Sequence, residues 1–525
     1  MRKEIIAAVI TESVNKFLAA QDVRPGFTVK IEYPANPDFG DYATPIAMEL
    51  AKQLKKPPLQ IADGIAALCS HDIFESVQVA KPGFINMKLS KRAVSSGIRA
   101  ILTDDTYGKN GEQDPKRILL EFVSANPTGP LHIGHGRWAA IGDTLARILR
   151  YAGNSVDCEF YVNNAGVQIE NLRRSVAAVQ QGAAIPEDGY HGAYIKELAA
   201  RGGDPAEHML SEHQELLARF GVPFDRFFSE KALRESGAVE RVIQLLKEKG
   251  HVFEQEGALW FRSTAFGDDK DRVLKKSDGA YTYFAVDIAY HQEKISRAYE
   301  KLINVLGADH HGYVARLIAA VHVLSDGKTK IDVIIGQLVR LFRGKEVVRM
   351  SKRTGDMITL AEVIDEIGID PARYFLLMRS AHTSLDFDLE LAKKQDNENP
   401  VYYLQYAYAR ICNIFVQLKE KDLSYDPATV FDLEPITNPL TDALAKILLR
   451  FPDEVLEVSR TYEVHRMTQY LYDVASALHR FYYDNVVLDH TNDTTRAMRL
   501  TLVRAVQRVL FIGFDLIGIA KKESM

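Results

Sequence analysis

A strand–helix–strand pattern over residues 117–162 constrains the fold more than any other feature of this chain. RILLEFV (117–123) has the continuous apolar character of a buried strand, and VDCEFYV (156–162) is typical of a second one. Because short connections join these elements, the two strands should be parallel neighbours in one sheet. The helix between them ends at Gly153 and Asn154, and its apolar residues recur at helical spacing: Trp138, Ile141, Leu145, Ile148 and Leu149.

The same alternation returns between residues 302 and 335. LINVL (302–306) and IDVII (331–335) are predicted strands, and the apolar spacing from Val314 to Leu324 predicts the helix between them. Together, the two halves predict a doubly wound, Rossmann-type α/β sheet. Residues from about 166 to 277 show several helical patterns and weaker alternation, as an insertion between the halves would.

The predicted catalytic sheet is flanked by two further domains. The polar, turn-rich run 104–116 ends a section of mixed helical and strand patterns, which predicts a small α/β domain over residues 1–108. The Rossmann-type domain should then occupy residues 109–395. Long aliphatic and aromatic helical stripes predict an all-α domain over residues 396–525.

Composition narrows the class of protein without identifying it. With 525 residues, of which 46% are apolar and 26% charged, the chain resembles a globular protein of several domains. The three cysteines are far apart in sequence and form no CxxC zinc pattern. No apolar run approaches the roughly 20 residues of a membrane span, and the N-terminus lacks a signal-peptide pattern. A cytoplasmic protein without a membrane partner is expected.

The turn between the first predicted strand and its helix contains His132-Ile133-Gly134-His135, here called the HIGH turn. Two imidazoles and a glycine beside a helix N-terminus suit an anionic ligand, and a triphosphate is the natural one. The turn has no GxxxxGK[ST] pattern, so it is not a P-loop. Taken without its flanking elements, it could equally be two ordinary loop histidines.

A second polar segment, Met350-Ser351-Lys352, follows the last predicted strand and is here called the MSK segment. The lysine ammonium suits neutralisation of charge that develops on a triphosphate during transfer. Taken alone, the segment could equally be a solvated lysine loop. The segment follows the HIGH turn in the chain with the second half of the predicted sheet between them, and this order supports a role in the same site.

A HIGH turn after the first strand and an MSK segment after the last one resemble the class I aminoacyl-tRNA synthetases. The surrounding residues narrow the resemblance to the arginyl-tRNA synthetases and extend it over nearly the whole chain. The segments that carry it are GDYATPIAMELAK, PGFINMKL, EFVSANPTGPLHIGHGR, YTYFAVDIAYH, GADHHGY, RMSKRTGD, NPVYYLQYAYARI and LIGIA.

The resemblance implies activation of L-arginine by ATP to arginyl-adenylate, followed by transfer to the terminal adenosine of tRNA(Arg). It also implies that tRNA is required for the first step, that Mg²⁺ accompanies ATP, and that no metal is tightly bound. The helical domain would bind the anticodon stem and loop, and the N-terminal domain the outer corner of the tRNA. We expect a monomer, since no feature demands a dimer.

By motif position, the resemblance assigns catalytic roles to His132, His135 and Lys352. The residues expected to bind ATP lie just before and in the HIGH turn, after the strand 302–306 and in the MSK segment: Thr128, Gly134, Gly307, Asp309, His310, Met350, Ser351 and Lys352. The residues expected to bind arginine are Glu121, Asn126, His132, Tyr283 and Asp287.

A guanidinium ligand independently requires carboxylates, because its five fixed donors must be satisfied in a partly dry pocket. Glu121 and Asp287 are the two candidates. Without the resemblance, each could equally be a helix cap or a surface charge, and Tyr283 could be an ordinary core residue.

Two departures from the family pattern and several alternatives remain. Arg349 stands where the class pattern has the first lysine of its loop, which leaves the role of Arg349 open. The helical domain of the family is named for a short Asp-Ala-Leu-Arg-like sequence, and in the nearest match here, residues 496–499, Met498 replaces the leucine. The rival functions are a class I synthetase for another amino acid, a nucleotidyltransferase with an HxGH motif, and a non-catalytic tRNA-binding paralogue. The paired carboxylates favour a cationic substrate, and the intact HIGH and MSK segments argue against a mere binder.

Overall fold

The computed structural model describes residues 3–23, 26–344, 346–348, 358–426 and 438–525. Its N-terminal part packs helices against a three-stranded antiparallel sheet of order β1-β3-β2. No helix or strand occurs between residues 104 and 116, all of which are described, and this is the predicted boundary region. The elements are α1 (Lys3–Ala19), β1 (Tyr42–Thr44), α2 (Ile46–Leu54), α3 (Pro58–Leu68), β2 (Phe74–Ala80), β3 (Phe84–Leu89) and α4 (Lys91–Thr103).

The catalytic part has a parallel sheet at its centre. The strands of the whole catalytic part are β4 (Arg117–Glu121), β5 (Ser155–Val162), β6 (Arg226–Ser229), β7 (Val252–Gln255), β8 (Ala258–Phe261), β9 (Arg272–Lys275), β10 (Lys301–Gly307), β11 (Lys330–Gly336), β12 (Val339–Arg343), β13 (Glu346–Val347) and β14 (Leu385–Asp388). Five of them form the central sheet in the order β11-β10-β4-β5-β6, with every neighbouring pair parallel. The Rossmann-type prediction is therefore confirmed.

Helices cover this sheet and connect its strands. They are α5 (Ile133–Ala152), α6 (Val167–Gln180), α7 (Ala193–Arg201), α8 (Pro205–Arg219), α9 (Glu230–Glu235), α10 (Ala238–Glu248), α11 (Tyr283–Ser296), α12 (Val314–Ser325), α13 (Leu360–Ile367), α14 (Ile369–Leu377) and α15 (Leu389–Lys393). The helix predicted between the two strands is α5, and Gly153 is its C-cap, as expected. Residues 166–277 also contain β6, which pairs with β5, so this region returns once to the central sheet.

The C-terminal part is helical wherever the structure describes it, in agreement with the predicted all-α domain. Its helices are α16 (Pro400–Glu420), α17 (Pro439–Leu448), α18 (Phe451–Thr461), α19 (His465–Asp484) and α20 (Asp493–Ile517). Met498, the departure from the DALR-like sequence, is buried in the core. None of the described helices combines the length and apolar character needed to cross a membrane.

One buried guanidinium ties the catalytic and C-terminal parts together. Arg373 in α14 donates to the Asp143 carboxylate in α5, to the carbonyl of Phe220 at 3.1 Å and to that of Ile517 at 3.1 Å. Because Ile517 ends α20, the last helix is fixed against the helix that follows the HIGH turn. The long C-terminal domain is thus anchored close to the catalytic sheet.

Candidate active site

The candidate site lies where the strand order of the central sheet reverses. From β4 the chain continues to β5 on one side, whereas β10 and β11 lie on the other. In open parallel sheets, ligands bind beyond the carboxyl ends of the strands at this point. Glu121 and Gly307 are the last residues of β4 and β10, so the sheet itself positions two of the expected site residues there.

The HIGH turn forms the N-terminal cap of α5. The Nδ1 atom of His132 accepts from the backbone N–H groups of Gly134 at 3.1 Å and His135 at 3.4 Å. In return, Nδ1 of His135 accepts from the His132 backbone N–H at 3.3 Å, and the two rings stack with centroids 3.6 Å apart. Because both Nδ1 atoms are acceptors, each neutral ring carries its hydrogen on Nε2. The histidines are therefore fixed in tautomer as well as in position, unlike ordinary loop histidines.

The carboxyl end of β10 brings a glycine and an exposed carboxylate to the same edge. A Cβ atom on Gly307 would lie 2.7 Å from an oxygen of the exposed Asp309 carboxylate and 3.3 Å from the Trp138 ring, so the absence of a side chain at Gly307 leaves room at this edge. The Asp309 side chain is 83% exposed, and His310 approaches it at 3.6 Å. The edge thus offers acceptor oxygens to a ligand next to the HIGH turn.

The chain that follows the MSK segment returns to the HIGH turn. Thr359 forms an antiparallel bridge with His132, and the Leu360 N–H donates to the Leu131 carbonyl at 2.8 Å. The Thr-x-x-Glu pattern at residues 359–362 is a capping-box signature, and Thr359 and Glu362 form that box at the start of α13. Arg349, Met350, Ser351 and Lys352 themselves lie outside the described residues.

Glu121 is neither a helix cap nor a surface charge. Its side chain is buried, and its carboxylate accepts from the ammonium of Lys294 in α11, itself fully buried, and from the Ser124 hydroxyl at 3.0 Å. The same ammonium donates to the Asn304 side chain at 3.2 Å. The charge of Glu121 is therefore already neutralised by Lys294. Glu121 thus differs from a carboxylate that has no counter-ion in the chain and could pair with a guanidinium.

Asp287 carries the less compensated carboxylate. It accepts a hydrogen bond from the Tyr313 hydroxyl, and no ion pair to it is present among the described residues. Burial raises the pKa of Asp287 to about 7 against the opposing effect of the Tyr313 hydrogen bond. The charges of Glu121 and Glu230 raise this pKa further, whereas Lys294 lowers it. Asp287 is half-buried, and a carboxylate whose charge is this unfavourable gains most from a bound cation.

Glu230 is a site residue that the sequence patterns did not reveal. It follows β6 directly, is buried, and accepts from Nε of Arg234 at 2.6 Å. Burial and the charges of Glu230, Asp287 and Glu121 all raise the pKa of the Tyr161 hydroxyl, so the three carboxylates act on the same group. We call Glu121, Glu230 and Asp287 the acidic pocket. The available signal was a carboxylate at the end of the RFFS strand, in a region where only an insertion was expected.

Three further expected residues lie at the start of α11 and in the turn after β4. Tyr283 begins α11 and is 74% exposed, so it is not a core residue. Asn126 lies in the turn after β4, where its side-chain amide donates to Gln168 at 2.5 Å. Thr128 follows in the same turn, and its carbonyl accepts from the Tyr194 hydroxyl at 3.0 Å.

Comparisons with known proteins identify the family of this chain. Three protein-family profiles match in order: the arginyl tRNA synthetase N-terminal domain (residues 4–89), the class I (R) tRNA synthetase catalytic domain (97–187 and 208–389) and the DALR anticodon binding domain (404–525). Arginine–tRNA ligase 1 of Halalkalibacterium halodurans is 44% identical over 554 residues, and arginine–tRNA ligase of Bacillus subtilis is 43% identical over 554 residues. Each alignment covers 100% of this chain and 98% of the relative. The Thermus thermophilus arginyl-tRNA synthetase structure shares the fold, with a TM-score of 0.79 at 23% identity over 99% of this chain and 100% of its own. The chain therefore belongs to the arginyl-tRNA synthetase family, whose members join arginine to tRNA(Arg) at the expense of ATP.

Proposed function

We propose that both small substrates bind in one cleft at the carboxyl ends of the central strands. In this proposal ATP lies at the HIGH turn and arginine lies over the acidic pocket. The observation that carries this assignment is the set of carboxylates near the Tyr161 hydroxyl: Glu121 and Glu230 are buried and already paired with Lys294 and Arg234, whereas the half-buried Asp287 has no ion pair among the described residues. A guanidinium supplies the missing charge and several donors in one planar group. Asp287 is its principal partner in this proposal, with Tyr283 and Asn126 beside it and Glu121 supporting the pocket.

In the activation step, an oxygen of the arginine carboxylate attacks the α-phosphorus of ATP, and the bond from that phosphorus to the bridging oxygen breaks. Pyrophosphate leaves with the electron pair. The Nε2–H groups of His132 and His135 are the donors that we assign to phosphate oxygens, at a helix N-terminus that already favours anions. Negative charge grows on the departing pyrophosphate, and the Lys352 ammonium is assigned to neutralise it.

The ribose of ATP is assigned to the carboxyl end of β10. Gly307 allows the close approach, and the exposed Asp309 carboxylate accepts from the ribose hydroxyls. His310, Thr128, Gly134, Met350 and Ser351 complete the proposed ATP set. Mg²⁺ is proposed to enter with ATP, as the counter-ion of its phosphates.

In the transfer step, the hydroxyl of the terminal adenosine of tRNA(Arg) attacks the carbonyl carbon of arginyl-adenylate, and AMP leaves. We propose that the enzyme acts as a monomer in the cytoplasm. The anchoring of α20 by Arg373 supports action as one unit, because it fixes the helical domain relative to the cleft within a single chain.

The direct test of this function is ATP–pyrophosphate exchange with a panel of amino acids, with and without tRNA(Arg). We expect exchange with arginine when the tRNA is present, and only background exchange with lysine, which carries the same charge on a different donor geometry. Exchange with another amino acid, or none with arginine, would contradict the specificity. Equal exchange without tRNA would contradict the proposed requirement for it.

The raised pKa of Asp287 predicts how arginine binding depends on pH. A cation binds the ionised carboxylate, so below pH 7 the KM for arginine should rise, approaching about tenfold per pH unit. The charged groups around Asp287 are Glu121, Glu230 and Lys294, and the Tyr313 hydroxyl holds its pKa down. Removing that hydroxyl in Tyr313→Phe should move the rise to higher pH. The measurement is the KM for arginine between about pH 6 and pH 8.

The matched control for this profile is Tyr299→Phe. The Tyr299 hydroxyl donates to the Asp157 carboxylate at 2.6 Å, near the opposite ends of the strands, so its loss removes the same kind of bond outside the cleft. Its pH profile should coincide with that of the unmodified enzyme. An unshifted profile in Tyr313→Phe would show that Asp287 does not control arginine binding.

A further inference from the structure

The turn between β4 and the HIGH turn has a backbone conformation that needs external support. Val123 and Ser124 adopt positive φ angles of 66° and 41°, a left-handed region that L-residues, and β-branched valine above all, rarely occupy. The first part of the turn is held to the sheet, because the Ser124 hydroxyl accepts from the Tyr161 N–H at 3.1 Å, whereas further along the Thr128 N–H makes only a short-range bond to the Asn126 carbonyl at 2.7 Å. Such a conformation persists only where surrounding groups over-determine it.

Two helices of the 166–277 region supply that support from outside the sheet. The Tyr194 hydroxyl in α7 donates to the Thr128 carbonyl at 3.0 Å, and Nε2 of His213 in α8 lies 2.8 Å from the carbonyl of the next residue, Gly129. A Cβ atom at Gly129 would lie 3.3 Å from the Tyr194 hydroxyl oxygen, so glycine eases this approach. Two successive carbonyls are thus held by side chains that are distant in sequence.

His213 occupies a position where an apolar residue would pack more simply. Met209, His213 and Leu217 follow one another at helical spacing along the buried face of α8. Met209 belongs to the small core of α6–α8 and Leu217 to the main core, so His213 lies where the two cores meet.

The histidine gains little from this burial apart from one hydrogen bond. Its side chain is 1% exposed, and burial lowers its pKa, so the ring is neutral and Nε2–H is the donor to Gly129. Its Nδ1 has no hydrogen-bond partner among the described residues. A buried polar atom without a partner is destabilising. The bond to the Gly129 carbonyl is therefore what distinguishes histidine from leucine here.

We propose that His213 and Tyr194 are positioning residues for arginine activation. By holding the Thr128 and Gly129 carbonyls, they fix the turn that presents Asn126 to arginine and leads directly into the HIGH turn. This inference rests on the proposed roles of Asn126 and of the HIGH turn. In this proposal α7 and α8 hold the ATP site and the arginine site in a fixed position relative to each other. The Tyr194 and His213 side chains themselves are not proposed to touch a substrate.

The test replaces the donors and measures ATP–pyrophosphate exchange with tRNA(Arg) present. In His213→Leu and in Tyr194→Phe, kcat/KM for arginine should fall about tenfold, as expected for one hydrogen bond that holds reacting groups in place. The KM for tRNA(Arg) should stay within about twofold, because the contacts of the tRNA-binding domains are unchanged. The melting temperature of His213→Leu should equal or exceed that of the unmodified enzyme. His213→Gln, which keeps a terminal N–H donor, should recover most of the lost activity.

His208→Leu is the matched control, since Nε2 of His208 in the same helix lies 2.6 Å from the Gly202 carbonyl, away from the turn. Its exchange activity should equal that of the unmodified enzyme. Unchanged kinetics in both His213→Leu and Tyr194→Phe would overturn the proposal, as would an equal loss in His208→Leu or no recovery in a folded His213→Gln. Failure of the proposed function would be distinct, because the unmodified enzyme would then show no arginine-dependent exchange.

Discussion

Replacing Asp287 by asparagine should lower kcat/KM for arginine in ATP–pyrophosphate exchange by about two to three orders of magnitude. Asparagine keeps the size of the side chain but removes its charge, leaving a buried guanidinium without its principal counter-ion. Removing one partner of a buried, hydrogen-bonded charge pair costs about 3 to 4 kcal/mol, and about 1.4 kcal/mol corresponds to a factor of ten. The raised pKa of Asp287 supports this magnitude, because the free carboxylate is poorly stabilised by the protein.

Asp386→Asn is the matched control for this prediction. Asp386 accepts from two nitrogens of Arg340 at 2.7 and 2.9 Å, so it forms the same kind of carboxylate–guanidinium pair on the surface. Exposed pairs of this kind contribute about 0 to 1 kcal/mol, and arginine activation should be unchanged. If Asp287→Asn lost only a fewfold in kcat/KM, the guanidinium would have to be bound elsewhere.

Glu121 illustrates why loss of activity alone would not identify an arginine ligand. Its carboxylate binds the ammonium of Lys294, which is fully buried. Neutralising Glu121 would leave that ammonium buried without its partner, at a cost of about 3 to 5 kcal/mol in stability. An inactive Glu121 variant could therefore reflect a disrupted pocket. Asp287, which has no such partner in the described part of the chain, gives the cleaner test.

Local sequence signals predicted those parts of the site that depend on neighbouring residues. The strand before the HIGH turn, the helix after it and the Thr359–Glu362 capping box all follow from hydrophobic spacing and capping chemistry, and all are confirmed. The predicted strand 117–123 is two residues too long, because the left-handed turn at Val123 and Ser124 leaves no mark on the apolar pattern.

Contacts between distant parts of the chain could not be predicted in this way. The pair of Glu121 and Lys294 joins a strand to a helix that lies 173 residues away in sequence. Likewise, β6 is short and is surrounded by helical patterns, so the placement of Glu230 at the pocket becomes visible only once β6 pairs with β5. His213 has the spacing of a core residue, and its bond to Gly129 spans 84 positions. Each of these contacts depends on how the sheet is assembled.

Lys352→Ala should lower the rate of arginine activation by about two to three orders of magnitude and leave arginine binding within about twofold. The proposed role is electrostatic and is fulfilled only as charge develops on pyrophosphate, so its loss appears in kcat; removing one preorganised donor of this kind costs about 3 to 4 kcal/mol. The structure supports this placement, because the chain after Lys352 returns to the HIGH turn through the pairing of Thr359 with His132.

Two measurements separate the proposed role of Lys352 from a general loss of the fold. Single-turnover formation of arginyl-adenylate gives the rate, and equilibrium dialysis with labelled arginine gives the affinity. Lys328→Ala, which removes one lysine from an exposed turn between α12 and β11, should change neither. Equal losses of rate and affinity in Lys352→Ala would argue against transition-state stabilisation.

Lys352→Arg refines the test, because arginine keeps the charge but spreads it over a larger planar group. A partial recovery of the rate would show that charge alone contributes, and the remaining deficit would measure the contribution of the compact ammonium.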